Sequence, residues 1–501
     1  ATGDMDWLQK AYDIIGRSLE ADFVVVYNPQ TGLFRGESSF IDWREQSYPV
    51  WAQPADIYMS ECLGTNAAYY GVLKVMEDMA TILGKKKDVK KYGQKAEALK
   101  KAINDNFWVE EDGYYASYLY GRQNLTRTQQ SETLGESFCV LFGIADEERA
   151  AKVISSMPVG EFGPPIFSPQ IVSQPDYHNN GVWPYVTSFW GKAAAKVGNE
   201  TALMHALACN VRTASIYATN YENYSFNTGN PYTTQINSPN MLWGLSGFMG
   251  LFHRTFFGLE FTKEGRALKP FVPTVLAGTR KLEAFPYRGM KLDITVSGSG
   301  NEIASCLVDG KEAEAFIPAD WTGNHSIEIV MKGEHKPSSV NMVGYIGMPE
   351  VPAVKAEAGK LQWEAISGAA KYWVLKDGQK VTETTSCSYQ IQGDGEYQVI
   401  AVSDKGVRSF NSEPLRVYAD ASVQSVAIDK WLDKTMGDQV KVKVNVPATG
   451  WYIVDWEYAN GNGEVEQRNH CANRLLYVDG KNAGPTVFPQ RGLDDWKNYG
   501  W

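Results

Sequence analysis

Three segments of this 501-residue chain bring carboxylates together with aromatic and amide side chains. The first is Arg35-Gly36-Glu37-Ser38-Ser39-Phe40-Ile41-Asp42-Trp43-Arg44-Glu45-Gln46. The second is Asp176-Tyr177-His178-Asn179-Asn180-Gly181-Val182-Trp183-Pro184-Tyr185. The third is Asn220-Tyr221-Glu222-Asn223-Tyr224-Ser225-Phe226-Asn227-Thr228-Gly229. Cleavage of a glycosidic acetal needs two carboxyl groups facing one carbon. One stays protonated to donate to the leaving oxygen, and the other is ionised to activate water or attack carbon. An apolar aromatic wall raises the pKa of the first, while a polar surround keeps the second charged. Asp42, beside Phe40 and Trp43, suits the acid, and Glu222, between Asn220 and Asn223, suits the base. The two are remote in sequence, so only the fold can bring them together.

Each of these residues also has a plainer reading. An Asp in an aromatic loop is often a helix cap, and Glu37 reads first as an Arg partner or a sugar-hydroxyl acceptor. Glu45, Glu61, Glu132, Glu136 and Asp176 are rival carboxylates, with Glu132 and Glu136 spaced i, i+4 on one predicted helix. Trp183 precedes Pro184 in a loop, where stacking and core roles are both open. Trp190 and Trp243 fall within helical periodicity, which favours the core, although Trp243 stays a substrate-binding candidate. Tyr177 and His178, with Asn179 to neutralise a uronate, would instead serve proton abstraction in a polysaccharide lyase. A third reading is a glycan-binding scaffold with no catalysis. Asn223-Tyr224-Ser225 is a sequon by pattern, but a glycan there would block the proposed base.

The elements that must hold these loops change character along the chain. Up to about residue 258 apolar residues recur at helical spacing, near 5–19, 57–83, 88–106, 129–142, 146–156, 186–197, 200–217 and 239–254. Long aromatic loops separate the helices, and such loops are costly to order unless they build a site. The apolar stretch Met241–Phe252 reads as a buried helix, too short to span a bilayer. From Leu259 the period becomes two, as in Lys291–Val296 and Ser326–Val330, which predicts a β-sandwich over 259–350. Prolines around Gly347–Pro352 suggest a linker. Residues 351–418 then show a small-sandwich pattern, with a turn at Asp377-Gly378, resembling a fibronectin type III module. A further β pattern over 419–501 includes Val440–Val446 and Tyr452–Tyr458.

The motif residues carry a family resemblance. Glu37-Ser38-Ser39-Phe40-Ile41-Asp42-Trp43-Arg44 is similar to the acid-bearing segment of trehalases and glycoside hydrolase family 63 enzymes. Glu222-Asn223-Tyr224 followed by Thr228-Gly229 resembles the family 63 segment that carries the general base. Asn180-Gly181-Val182-Trp183-Pro184 resembles the sugar-binding loop between them. The resemblance covers residues 1–258. It implies a multidomain α + β chain: an (α/α)6 toroid followed by β-sandwich domains, with inverting α-glucosidase-type chemistry. It also implies Asp42 as acid, Glu222 as base, and Arg44 and Trp183 as substrate-binding; Glu37, Trp43, Asn180, Tyr224 and Trp243 are the further residues expected around an oligosaccharide substrate. Eight helices are read where the toroid has twelve, so the remaining ones are expected to precede Ala1. The segment from Gly450-Trp451-Tyr452 through Cys471-Ala472-Asn473-Arg474 to Asp495-Trp496 resembles a galactose-binding-like carbohydrate-binding sandwich. Its usual further strands are expected beyond Trp501.

Composition narrows the classes further. Lys and Arg number 48 against 58 Asp and Glu, giving a net charge of −10, which repels phosphate backbones and disfavours nucleic acid. Fifteen Trp, 27 Tyr and 20 Phe suit stacking on sugar rings. Six scattered cysteines with no CxxC give neither a disulfide framework nor a zinc site. No Gly-rich dinucleotide loop follows a strand, so no redox cofactor is expected; a structural Ca²⁺ would suit the sandwiches, though no ligand cluster is diagnostic. The expected location is secreted or periplasmic, and oligomeric state is not legible.

Overall fold

The computed structural model describes residues 2–38, 46–333, 338–417, 425–427, 439–450, 452, 454–461 and 471–489. A helical part comes first and strands follow from Leu259, a mixed architecture consistent with a helical toroid plus β domains. The helices among the described residues are α1 (Met5–Val25), α2 (Pro54–Met59), α3 (Leu63–Ile82), α4 (Lys86–Phe107), α5 (Thr133–Phe142), α6 (Glu147–Ser156), α7 (Pro184–Lys196), α8 (Glu200–Tyr217) and α9 (Leu242–Thr255). The helix expected over 57–83 divides into α2 and α3, because Glu61–Cys62 turns extended and pairs with Tyr118–Leu119. Likewise α5 begins at Thr133 rather than near 129, since Ser131–Glu132 pair with Phe167–Ser168.

Packing follows a ring-like order, with α1 on α3, α3 on α5, α5 on α7 and α7 on α9, while α4, α6 and α8 each return against the preceding helix. Turns at residues 83–85, 143–146 and 197–199 join each inner helix to its outer partner. The return connections, 108–132, 157–183 and 218–241, are long. All of them therefore gather at one end, beside the N-termini of α3, α5, α7 and α9. The sequence builds this asymmetry through tight caps on the short side, where Asp146 accepts from Arg149 N and Asn199 from Ala202 N.

Met241–Phe252, expected to be a buried helix, is helical but half exposed. Leu242, Leu245 and Met249 face outward, while the opposite side packs through Leu251, Phe248 and Phe252 and brings Gly247 against Ser188 and Tyr185 of α7.

Beyond the helices, a five-stranded sheet runs Gly278–Tyr287, Met290–Gly298, Gly323–Lys332, Glu302–Val308, Lys311–Glu312. Its alternating Leu292, Ile294, Val296, Ile327, Ile329 and Met331 are buried in one continuous core with the helices. A three-stranded sheet of Leu259–Phe261, Gly265–Leu268 and Phe316–Pro318 lies beside it in the chain. The linker expected at Gly347–Pro352 is not a free tether, since Gly347–Met348 pairs in parallel with Gln170–Ile171. Residues 355–417 form sheets of three and four strands around Leu361, Trp363, Tyr372, Val374, Tyr397 and Val399. Asp377 and Gly378 make the expected tight turn, both at positive φ (49° and 75°).

The last region departs from expectation. Val440–Val446 forms no strand, and Val442, Val444 and Val446 are exposed. Tyr452–Tyr458 contributes only an isolated bridge residue among the described residues. Alternation specifies a strand only where a neighbour supplies a ladder and a covered face. The ladder present here joins Cys471–Val478 to Lys481–Pro489, and Asn482 Nδ2 of that hairpin donates to Val24 O at 3.3 Å. Trp451 and the stretch through Asp495-Trp496 lie outside the described residues.

Candidate functional site

The long-loop end of the helices is held together by a few amide side chains. Gln46, 1% exposed, accepts from the backbone N–H groups of His178 (2.9 Å) and Asn179 (3.2 Å). Its Nε2 donates to Gln235 Oε1, and Gln235 N in turn donates to Asp176 O at 2.8 Å. Loops 46–53, 171–183 and 219–240 thus meet at one side chain. A two-residue ladder of Gly181–Val182 with Tyr224–Ser225 reinforces the junction, as does Phe226 N donating to Asn180 O.

Glu222 sits half-buried on the third of these loops, with its N–H directed to Ser238 O (3.0 Å) and Asn237 Oδ1 (3.1 Å). Asn237 is the hub of that loop. Its Oδ1 accepts from Glu222, Asn223 and Ser238, and its Nδ2 donates to Asn223 O (2.8 Å) and Pro231 O (2.9 Å). Asn223 is fully buried and donates to Ile236 O. It is thus inaccessible to glycan attachment in the folded chain.

Asp42, Trp43, Arg44 and Glu45 lie outside the described residues. Their flanks are informative, since Ser38 and Gln46 are both buried, and Gln46 belongs to the junction beside the Glu222 loop. Glu37 is partly buried, and its carbonyl accepts from Thr65 Oγ1 at 2.7 Å. Burial pushes the Tyr48 phenol well above its ordinary value, and Glu37 is among the neighbouring charges that add to this.

The second segment is more interior than its loop sequence suggests. Trp183 is 2% exposed, caps α7, and gives its indole N–H to Tyr177 O at 3.0 Å. Its ring stands edge-on to Trp243 of α9, at 5.4 Å between centroids. Tyr224 is equally buried and accepts from Tyr221 N. Asn180 is buried at φ 55°, donates to Asp176 Oδ1 at 2.7 Å, and leaves its own Oδ1 without a partner among the described residues.

The rival carboxylates separate cleanly. Glu61, Glu132 and Glu136 are each 2% exposed or less. Glu132 caps α5 by accepting from Leu134 N and Gly135 N, and burial pushes its carboxyl up to about 7. Glu136 accepts from Tyr115 N, and burial holds it well above the usual carboxylate range. These are acids of the core. Of the three lyase residues, Asn179 is likewise committed elsewhere. Asn179 Oδ1 accepts from Ile171 N, and its Nδ2 donates to Ile171 O and Gln174 O, which leaves no amide N–H for a uronate. Sequence reading missed Gln46 and Asn237, whose only signal was an amide inside a loop dense in turn residues.

The comparison with protein families now bears on this geometry. Residues 1–159 match the family model described as bacterial alpha-L-rhamnosidase 6 hairpin glycosidase domain. The six-hairpin glycosidase resemblance is therefore shown, with the matched part containing the Asp42 segment and ending before Asn180 and Glu222. No curated protein matches the chain. Among solved structures, a sialidase aligns with TM-score 0.49 and 16% identity, over 62% of this chain and 30% of its own. A GH78 family rhamnosidase of Bacillus sp. GL1 aligns with TM-score 0.41 and 18% identity, over 69% and 33%. A neutral trehalase from Saccharomyces cerevisiae gives TM-score 0.32 and 12% identity, over 39% and 38%. The chain thus spans about a third of the length of each of these proteins. Among the described residues no helix is long and apolar enough to cross a membrane, and no group of three or more His, Cys, Asp or Glu could hold a metal ion.

Proposed function

We propose that the chain is the catalytic part of a six-hairpin glycoside hydrolase that cleaves an α-linked glycoside with inversion. Asp42 protonates the leaving oxygen, while Glu222 takes a proton from the water that attacks the anomeric carbon from the opposite face. In such a pair the carboxyls stand ~6.5–9.5 Å apart, leaving room for that water. The observation that carries the reading is the Gln46 junction, which ties the segment following Asp42 to the loops of Asn180 and Glu222. Arg44, Trp43 and Glu37 would orient the sugar from one side and Asn180 from the other, with its unused Oδ1 as a hydroxyl acceptor.

The rhamnosidase-type match over residues 1–159 makes α-L-rhamnosides the first substrates to test and α-glucosides the second. The 351–418 module is read as fibronectin type III-like, residues 419–501 as a carbohydrate-binding-like sandwich, and the protein as secreted or periplasmic. The test is hydrolysis of aryl α-L-rhamnosides and α-D-glucosides by the full chain, with the product anomer followed by NMR. Release of the inverted anomer is expected. Retention, or an ultraviolet-absorbing unsaturated product, would replace the mechanism.

A further inference from the structure

The module at residues 355–417 meets the helical part through a strand end rather than through a tether. Asn411, 2% exposed, follows Phe410 in the connection to strand Leu415–Val417. Every polar group it has is engaged. Its N–H donates to Tyr120 Oη (2.7 Å), its carbonyl accepts from Trp51 Nε1 (2.8 Å), its Oδ1 accepts from Tyr120 Oη (3.0 Å), and its Nδ2 donates to Thr126 Oγ1 (2.7 Å) and Gln398 Oε1 (3.2 Å). Alongside, Glu396 is 1% exposed and accepts from the backbone N–H groups of Gln123 and Asn124. Arg122 bridges Glu413 of the module to Asp56 of α2, whose carboxylate caps Gln53 N. Phe410 packs against Tyr118 and Tyr120, and Tyr118 Oη donates to Ser47 O at 2.7 Å.

Three of these contacts reach residues 47–56, the stretch that leaves Gln46 in the site: the Asn411 carbonyl on Trp51, Arg122 on Asp56, and Tyr118 on Ser47. A module that merely spaced other domains would have no use for a buried amide satisfied at every atom, because each such group is costly to bury unpaired. We propose that this module is a positioning element of the candidate site: the Asn411 side chain, held by Tyr120, Thr126 and Gln398, sets its own carbonyl on Trp51 Nε1 and thereby fixes the segment from Trp51 back to Gln46. Its effect on turnover rests on the hydrolase reading above; its effect on the segment's order does not.

The experiment compares the full chain with Asn411→Ala, with Trp51→Phe, and with Lys371→Ala as a control in the module's exposed ion pair. Trp51→Phe removes the indole N–H but keeps an aromatic ring, so it decides the matter if Asn411→Ala does not fold. Hydrogen exchange of the 46–56 amides, read by mass spectrometry, is expected to speed up ~10-fold or more in both interface variants while strand Gly395–Ser403 stays protected. Turnover is expected to fall ~10²-fold with KM within about threefold of the parent. Unchanged exchange over 46–56 in the folded variants would overturn the proposal, and so would faster exchange with full turnover. Faster exchange in the interface variants, with a parent that hydrolyses no glycoside, supports the positioning role and removes the hydrolase reading instead.

Discussion

Gln46 Oε1 accepts from two successive backbone N–H groups, His178 and Asn179, at 2.9 and 3.2 Å. A side-chain amide is the right group for this task, because it can accept on one atom and donate on the other without carrying charge into a buried junction. Gln46→Ala leaves those two N–H groups and Gln235 without their partner. Stability should fall by about 2–4 kcal/mol, since buried donors left unpaired cost ~1–3 kcal/mol each. Turnover should drop ~10²-fold from displacement of the flanking segment. Thermal unfolding and steady-state kinetics check both, and Gln46→Glu, which keeps the acceptor, should lie between.

The proposed acid and base make a sharper kinetic prediction. Asp42→Asn and Glu222→Gln each remove a proton transfer, which typically contributes ~10²–10⁴-fold, so kcat should fall by that order with KM nearly unchanged. Their losses should not add in the double variant, because both act in one step. An aryl glycoside with a good leaving group should partly relieve Asp42→Asn and leave Glu222→Gln as impaired. Parent-like turnover in either single variant would reassign that role.

Gly181 is the point where the second segment cannot tolerate a side chain. A Cβ there would collide with the Tyr177 carbonyl and approach Trp183 Nε1 at 3.2 Å. Because Gly181 also pairs with Ser225 of the Glu222 loop, Gly181→Ala should move both walls of the site together. Destabilisation of ~2–4 kcal/mol is expected from the backbone shift, read by denaturant unfolding. Gly198→Ala, in open space between α7 and α8, should cost only the strain of its positive φ.

What could be read from the sequence follows the range of the forces involved. Helical periodicity located α4, α6, α7 and α8 within a few residues, because the apolar stripe that buries each helix is written locally. The break between α2 and α3 was invisible, since Glu61–Cys62 turns extended only by pairing with Tyr118–Leu119 in another loop. Val440–Val446 had the pattern of a strand but no ladder among the described residues. Within the site, carboxylates and aromatics announced themselves by type, whereas Gln46 and Asn237 matter through partners in other loops. Trp183 reads as a loop residue for which stacking and core roles are both open. Its role as a buried cap depends on Tyr177 O and on Trp243, a helix residue far along the chain.

The buried acids of α5 predict how stability responds to pH. Burial raises the Glu132 carboxyl to about 7 in the folded chain, against 4.5 as its ordinary value. The native state therefore binds the proton more tightly than the unfolded chain does. The associated stability is fully present below about pH 4.5 and is lost as pH rises through about 7. The difference corresponds to roughly 3 kcal/mol at 1.36 kcal/mol per unit. Glu136, also raised by burial, shifts stability in the same direction. Unfolding followed at about pH 5 and about pH 8 should show the parent losing stability over this interval. Glu132→Gln, neutral at both and able to accept from one of the two N–H groups through its amide oxygen, should lose roughly 2–3 kcal/mol less. An equal loss in parent and variant would mean that Glu132 stays ionised in its place between the backbone N–H groups of Leu134 and Gly135.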